Sequence, residues 1–336
     1  MAKKINYIIC ILSFILLFMY MILKEGINNI IINFQNLNYT YILFAIFSMF
    51  IYILLESGIL NICIKNIGKK IKYKSSLKIS VIGQMFNQIT PFASGGQPIQ
   101  AYYMTKENIK IGDATAILLI KFIIYQITLT VFTGIIVFLK INYFKSKINN
   151  FVILILIGFL VNFFVLIFLI LTGTCKNTLK KLSKNIILFL EKIKLCKNSD
   201  KKISNINLEI DKFNLTFKKI KTKKKMLIKS ILLTILQLIF YFALPYFIMK
   251  GISPTTNIDI VLVICASAFV HLVTAFIPTP GSTFGAEGTF YIIFSTFFSN
   301  EKIIFAIFLW RICTFYLPII LGIICMTFNS KKLSSV

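Results

Sequence analysis

Charged side chains are scarce in this 336-residue chain: they make up 14% of it, with only 11 acids, one arginine and one histidine. Between them run several apolar stretches of about 20 residues, each long enough to cross roughly 30 Å of hydrocarbon as a helix. A soluble globular fold is thereby excluded. The charges sit almost entirely between the apolar runs, as expected when a lone charge in hydrocarbon costs about 2.5 kcal/mol or more. The single histidine, His271, has no HExxH neighbourhood and reads as a packed or hydrogen-bonded residue. The seven cysteines (Cys10, Cys63, Cys175, Cys196, Cys265, Cys313, Cys325) form no CxxC pair and read as small hydrophobes rather than metal ligands or a disulfide framework. A P-loop, a dinucleotide fingerprint, a serine nucleophile elbow and paired catalytic carboxylates are all missing. That argues against ATP-driven transport and ordinary hydrolysis, and no cofactor is implied.

What the chain has instead is lysine. The formal net charge of +26 rests on 37 basic residues, all but Arg311 being Lys, and the accompanying wealth of Ile and Asn marks a compositional bias rather than a nucleic-acid surface. The spanning candidates are residues 5–23, 39–60, 112–139, 151–172, 229–249 and 302–328. Residues 79–111 and 258–300 are apolar but broken in the middle by Pro and Gly. The stretch 5–23 follows Lys3 and Lys4 without a small-residue cleavage pattern and reads as an uncleaved first helix. Lysines cluster before the first helix, between Lys65 and Lys78, between Lys176 and Lys229, and at Lys331 and Lys332. By the positive-inside rule these segments and both termini are cytoplasmic, which leaves Lys24, Lys140, Lys145, Lys147, Lys250 and Lys302 outside. Region 79–111 must then start and finish inside, and 258–300 outside, so each is a hairpin, either re-entrant or fully crossing. Segment 173–228 carries apolar stripes at Leu179, Leu182, Ile186, Leu190 and at Ile203, Ile206, Ile210, Phe213, Phe217, Ile220, which predicts two basic amphipathic helices. They either meet anionic lipid at the inner leaflet or form a solvated hairpin that only fixes topology.

The two broken regions look duplicated. Helix 39–60 starts 51 residues before Thr90 and helix 229–249 starts 50 before Thr279. Helices 112–139 and 302–328 start 22 and 23 residues after the same points. Each unit is a helix, a broken hairpin and a helix, over 39–139 and 229–328, and the opposite starting sides make this an inverted-topology arrangement. The expected fold is an all-α polytopic transmembrane bundle. Lys121 and Arg311 each lie nine residues into the last helix of their unit, at about 14 Å depth for a rise of about 1.5 Å per residue, and so near mid-membrane.

The breaks read Asn87-Gln88-Ile89-Thr90-Pro91-Phe92-Ala93-Ser94-Gly95-Gly96-Gln97-Pro98 and Pro278-Thr279-Pro280-Gly281-Ser282-Thr283-Phe284-Gly285-Ala286-Glu287-Gly288. Pro stops each incoming half-helix and Gly lets the backbone turn. Pro98 suits the first position of a returning half-helix, whose N-terminal amides would point at the turn and offer an anion site. Ser94, Gln97, Gln100, Ser282 and Thr283 can donate to phosphate oxygens, with Lys121 and Arg311 neutralising the charge. The alternative is a pair of tight hairpins that merely pack. Glu287 either pairs with Arg311 or holds an amino headgroup, and Glu56, near the cytoplasmic end of its helix, reads as interfacial. Gly95-Gly96-Gln97 matches the tripeptide of peptide release factors, but that chemistry needs a soluble tip and is excluded.

The strings TPFASGGQP and PTPGSTFGAEG, followed by an apolar helix bearing Arg311, resemble the paired signature of the transmembrane region of lysylphosphatidylglycerol synthases, the multiple peptide resistance factors. The similarity extends over essentially the whole chain. It implies a lipid translocase whose headgroup site includes Thr90 and Gly95–Gln97 together with the polar residues named above. It also implies membrane phospholipids, anionic or aminoacylated, as partners, with a separate synthase or transferase as supplier. The last span ends eight residues before the end of the sequence, so phosphatidylglycerol lysyltransferase activity, which the family's soluble domain carries, is not expected. A neighbouring role as partner subunit of a lipid-modifying or glycosyl-transferring enzyme stays open, and no nucleic-acid partner is expected. Reporters fused within 173–228 or after Lys332 should read cytoplasmic and one at 250–257 external. An external 173–228 would overturn both the orientation and the inverted units.

Overall fold

The computed structural model describes residues 18–333 apart from 20, 25, 149–150, 193–198 and 275–276, so most of the expected first helix, with Cys10, and the segment around Cys196 lie outside the described residues. The described chain is an all-α polytopic bundle with no strand among its elements. In chain order they are α1 (Ile27–Gln35), α2 (Tyr39–Asn66), α3 (Tyr73–Ile89), α4 (Gly96–Lys106), α5 (Ile111–Leu139), α6 (Ile141–Lys147), α7 (Phe151–Thr174), α8 (Lys176–Lys192), α9 (Ser199–Lys221), α10 (Lys224–Ile252), α11 (Ile260–Thr274), α12 (Gly285–Phe294), α13 (Asn300–Arg311) and α14 (Leu317–Leu333). Among the described residues, five stretches are long and apolar enough to cross a membrane: α2, α5, Ile155–Thr174 of α7, α10, and Lys302–Thr327. The last of these runs through α13 and α14, which a π-helical turn over Ile312–Tyr316 joins directly after Arg311.

The broken regions are short-limbed. Helices α3 and α4 have 17 and 11 residues, and α11 and α12 have 15 and 10. At about 1.5 Å per residue none reaches across roughly 30 Å of hydrocarbon. Both therefore stop part-way, and the 3₁₀ turns at their tips, Pro91–Ala93 and Pro280–Ser282, touch each other. The turns match in detail. Thr90 and Thr279 are extended, and the second residue of each turn is left-handed, Phe92 at φ 53° and Gly281 at φ 59°. Helix α4 starts at Gly96 rather than at Pro98. Proline is tolerated as third residue for the same reason as at the first, because the opening amides of a helix have no intrahelical acceptor.

Neighbour relations correspond between 39–139 and 229–328. Helix α2 packs on α10 down the centre. Contacts α2–α3, α2–α5 and α4–α5 are matched by α10–α11, α10–α13 and α12–α13. Helix α3 lies on α14 just as α11 lies on α5. The polar connections separate into two ends. At one, Lys140 pairs with Asp259 at 2.6 Å, holding that carboxyl below its usual range, Tyr143 donates to the Thr296 carbonyl, and Lys302 to Ser253. At the other, the Gly112 amide donates to Glu209 and α9 packs along α5. Both amphipathic helices expected in 173–228 are present as α8 and α9, tied together by Lys176 and Lys180 on Asp211, whose carboxyl they hold below its ordinary value.

Close approach at the second tip depends on Gly281: a Cβ there would lie 2.1 Å from the Phe315 ring, on a backbone that side chains rarely adopt. Gly281→Ala should lower stability by about 1–3 kcal/mol through strain and displaced packing. Gly288→Ala, where a Cβ meets nothing within 4 Å, should not destabilise. Thermal unfolding of the two purified variants in detergent checks this, and equal midpoints would refute it.

Candidate functional site

Where the two tips meet, a cavity of about 650 Å³ opens inside the bundle. It is bounded by α2, α3, α4, α5, α7, α10, α11, α12 and the end of α13, so both hairpins and the central helix pair contribute to its wall. At about 30 Å³ per water it has room for some twenty water molecules, a size usual for small-molecule sites. Its polar wall is mainly amide and phenol: Gln84, Asn87, Gln88, Gln97, Gln100, Gln126, Asn162 and Gln237, with Tyr52, Tyr125 and Tyr241.

Two ion pairs lie at this space, Lys121–Glu56 with both partners in the wall and Arg311–Glu287 with Arg311 alone in it. Lys121 Nζ lies 2.7 Å from Glu56 Oε1, with side chains 14% and 7% exposed, and the Gln84 amide donates to the other Glu56 oxygen. Glu56 is thus not interfacial. Helix α2 runs on to Asn66 instead of ending near residue 60, which leaves ten residues, about 15 Å of helix, between Glu56 and its end. Arg311 is 5% exposed, and its Nε donates to Glu287 Oε1 at 2.7 Å. Its Nη1 donates to the Gly281 carbonyl at 3.0 Å, and its guanidinium lies near the Trp310 and Phe315 rings. Of the two roles open to Glu287, the structure therefore has it paired with Arg311. Arg311 Nη2 and Glu287 Oε2 have no hydrogen-bond partner. The π turn beginning at Ile312 changes helical phase directly after Arg311, a device common at functional sites. Within that turn the Thr314 carbonyl accepts from Gln88 of the first hairpin at 3.2 Å.

Of the residues picked out from sequence, Gln97, Gln100, Lys121, Ser282 and Arg311 line the cavity together. Thr90, Ser94, Gly95, Gly96, Thr283 and Glu287 do not, and most of them hold the tips in shape. Thr90 Oγ1 donates to the Phe86 carbonyl and accepts from the Gly95 amide at 2.8 Å, and Asn87 Oδ1 accepts from the Gly96 amide at 3.0 Å. The Gly95 and Gly96 amides at the start of α4 are thus bonded within their own hairpin. Ser94 and Thr283 return to the Pro91 and Pro280 carbonyls, and Ser282 to that of Thr274.

Sequence reasoning did not single out the amides Gln84, Gln126, Asn162 and Gln237 or the tyrosines. A lone amide or carboxylate in an otherwise apolar run was the available signal, because such groups seldom face lipid. His271 is also in the wall, its Nε2 3.3 Å from Tyr125 OH. Among the described residues no His, Cys, Asp and Glu cluster is arranged to hold a metal ion.

The family described as "Lysylphosphatidylglycerol synthase TM region" matches residues 7–322 of the chain. A "UPF0104 membrane protein" of Archaeoglobus fulgidus is 22% identical over 268 residues, 79% of either chain.

Breaking the inner pair on one side only should be costly. Glu56→Gln leaves Lys121 without its counter-charge and should destabilise by about 3 kcal/mol, the lower end for a buried pair because this one faces a cavity. Adding Lys121→Met should restore most of the loss. Thermal midpoints of the single and double variants test this, and an undisturbed Glu56→Gln protein would show that the pair has no structural part.

Proposed function

Because the chain belongs to the lysylphosphatidylglycerol synthase transmembrane-region family, we propose that this membrane protein is a lipid translocase that holds the headgroup of a phosphate-bearing phospholipid in the cavity between its broken hairpins. The observation that carries the reading is the cavity itself: set with amide, phenol and charged groups in a largely apolar wall, large enough for a headgroup, and bounded by two hairpins that meet at their tips. A headgroup crossing a bilayer needs polar contacts at mid-depth, where hydrocarbon offers none.

In this reading 39–139 and 229–328 are inverted-topology units, an arrangement that their matched tips and corresponding neighbours support. The protein sits in the cell membrane with both termini and the lysine-rich segment 173–228 in the cytoplasm, and the hairpins enter from opposite faces. Arg311 latches the second tip through the Gly281 carbonyl, and Gln88 ties the first hairpin to the π turn. Passage of a headgroup requires these ties to exchange for contacts to the lipid, with Lys121 and Arg311 as the cations within reach of its phosphate. The lipid, anionic or aminoacylated, would be supplied by a separate synthase or transferase. A lysyltransferase reading has no observation in its favour, since a cavity of this size inside the bundle cannot admit an aminoacyl-tRNA.

Arg311→Lys separates function from fold. Lysine keeps the charge facing Glu287 but loses the planar fork that reaches Gly281 and the free Nη2 donor. A lost charge-assisted contact is worth about 1.5–3 kcal/mol, so translocation per folded molecule should fall about ten-fold or more, beyond any loss of yield from freeing the Gly281 carbonyl. A leaflet-resolved lipid assay in cells carrying parent, variant or no protein measures it. Equal leaflet distributions with and without the parent protein would end the translocase reading.

A further inference from the structure

The ion pairs at this cavity are closed, and apart from Arg311 Nη2 the unmet hydrogen-bonding capacity of its wall is neutral. Lys121 and Gln84 occupy both oxygens of Glu56. Glu287 is bound to Arg311 and does not line the space. No carboxylate in the wall is therefore left for an added cation. Among the described residues, in contrast, nothing in the protein hydrogen-bonds to the side-chain amides of Gln97, Gln100 and Gln237, although Gln100 and Gln237 are 3% and 2% exposed and all three line the cavity. Among the described residues, Arg311 Nη2 is the one buried cationic nitrogen there without a partner.

Each glutamine amide offers two donors and an acceptor, which matches hydroxyl groups that both donate and accept. A ligand that leaves these amides without partners loses the hydrogen bonds they otherwise make to water, so one that supplies hydroxyls is favoured over one that does not. A headgroup with an extra ammonium finds no free carboxylate in the wall to receive it, whereas a phosphate finds the Arg311 Nη2 donor. We infer that the cavity selects a polyhydroxylated headgroup carrying a single phosphate, such as a cyclitol or sugar phosphate lipid, over an aminoacylated one. The phosphate meets Arg311 Nη2, and the hydroxyls meet Gln97, Gln100 and Gln237. This rests on reading the cavity as a lipid headgroup site and narrows its substrate class.

Trp310, the only tryptophan of the chain, lines the cavity and reports its occupancy by fluorescence without any labelling. The full-length protein in phosphatidylcholine nanodiscs is titrated with dihexanoyl phosphatidylinositol, dihexanoyl lysylphosphatidylglycerol and dihexanoyl phosphatidic acid, the last bearing the phosphate without the polyol. The inositol lipid should bind at least about ten-fold more tightly than either of the others. Gln97→Leu and Gln237→Leu, tested separately, should each reduce that preference, and agreement from whichever variant keeps the parent's thermal midpoint suffices. Equal or tighter binding of the lysyl lipid, phosphatidic acid binding as well as the inositol lipid, or no fluorescence response to any of them overturns the inference. Transfer between leaflets of vesicles is measured in parallel. Selective binding without transfer leaves the inference standing and sinks the translocase reading, whereas transfer without polyol preference does the reverse.

Discussion

Everything in this bundle follows from having to satisfy backbone polar groups where no water is at hand. Two Thr-Pro breaks interrupt helices inside the apolar layer, and each frees amides and carbonyls that would cost several kcal/mol apiece if left bare. Pro91 has no N–H to give the Asn87 carbonyl, and the left-handed residues that follow turn the chain out of helix altogether. The repair is local. A single threonine hydroxyl serves both sides of the first break, donating back to Phe86 and accepting from Gly95. The second break recruits Ser282, Thr283 and, from 30 residues away, Arg311 on the Gly281 carbonyl. The small and hydroxylated residues of the signature strings are thus explained by turn chemistry before any ligand is considered.

That constraint also decides where binding capacity lies. Thr90 and Asn87 already take up the Gly95 and Gly96 amides at the start of α4, which leaves less of the anion site a bare helix start would provide. Capacity moves to side chains projecting from continuous helices, chiefly amides. The charges obey the same economy of low dielectric. Each of 39–139 and 229–328 holds one deep cation and one carboxylate, so neither contributes net charge to the interior. The cations correspond in position but the acids do not: Glu56 is on the leading helix of its unit, whereas Glu287 is on the returning limb of the hairpin. Neutrality is the shared requirement, and each half meets it from a different place.

Much of the architecture was legible in the sequence. Apolar run length gave the spans, Pro and Gly the breaks, and lysine-interleaved stripes the helices at Lys176–Lys192 and Ser199–Lys221. These signals are local, carried within one or two turns of chain. The site was legible only where it coincided with the breaks or with a lone cation. The Glu56–Lys121 pair spans 65 residues, and the Gln126–Asn162 contact joins two helices whose facing cannot be read from period alone. Helix ends matter as well: stopping α2 six residues early placed Glu56 at an interface instead of in the wall of a cavity. The π turn after Arg311 left no mark in composition, since its residues are as apolar as their neighbours.

An interior rich in neutral amides fits passage better than one rich in free charge. A path across a membrane must bind its cargo strongly enough to offset lost hydration and weakly enough to let it go on the far side. A free buried cation against a phosphate concentrates that attraction in one contact whose rupture is slow. Neutral hydrogen bonds contribute about 0.5–1.5 kcal/mol net each, and in the proposed translocase they would be exchanged one at a time between Gln97 and Gln100 on one hairpin and Gln237 on the central helix. The two cations then act as tethered elements, each kept by its own carboxylate and able to lend only part of its hydrogen-bonding capacity. Arg311 shows the division of labour most clearly: Nε and Nη1 hold Glu287 and the second tip, and Nη2 alone is left for what enters the cavity.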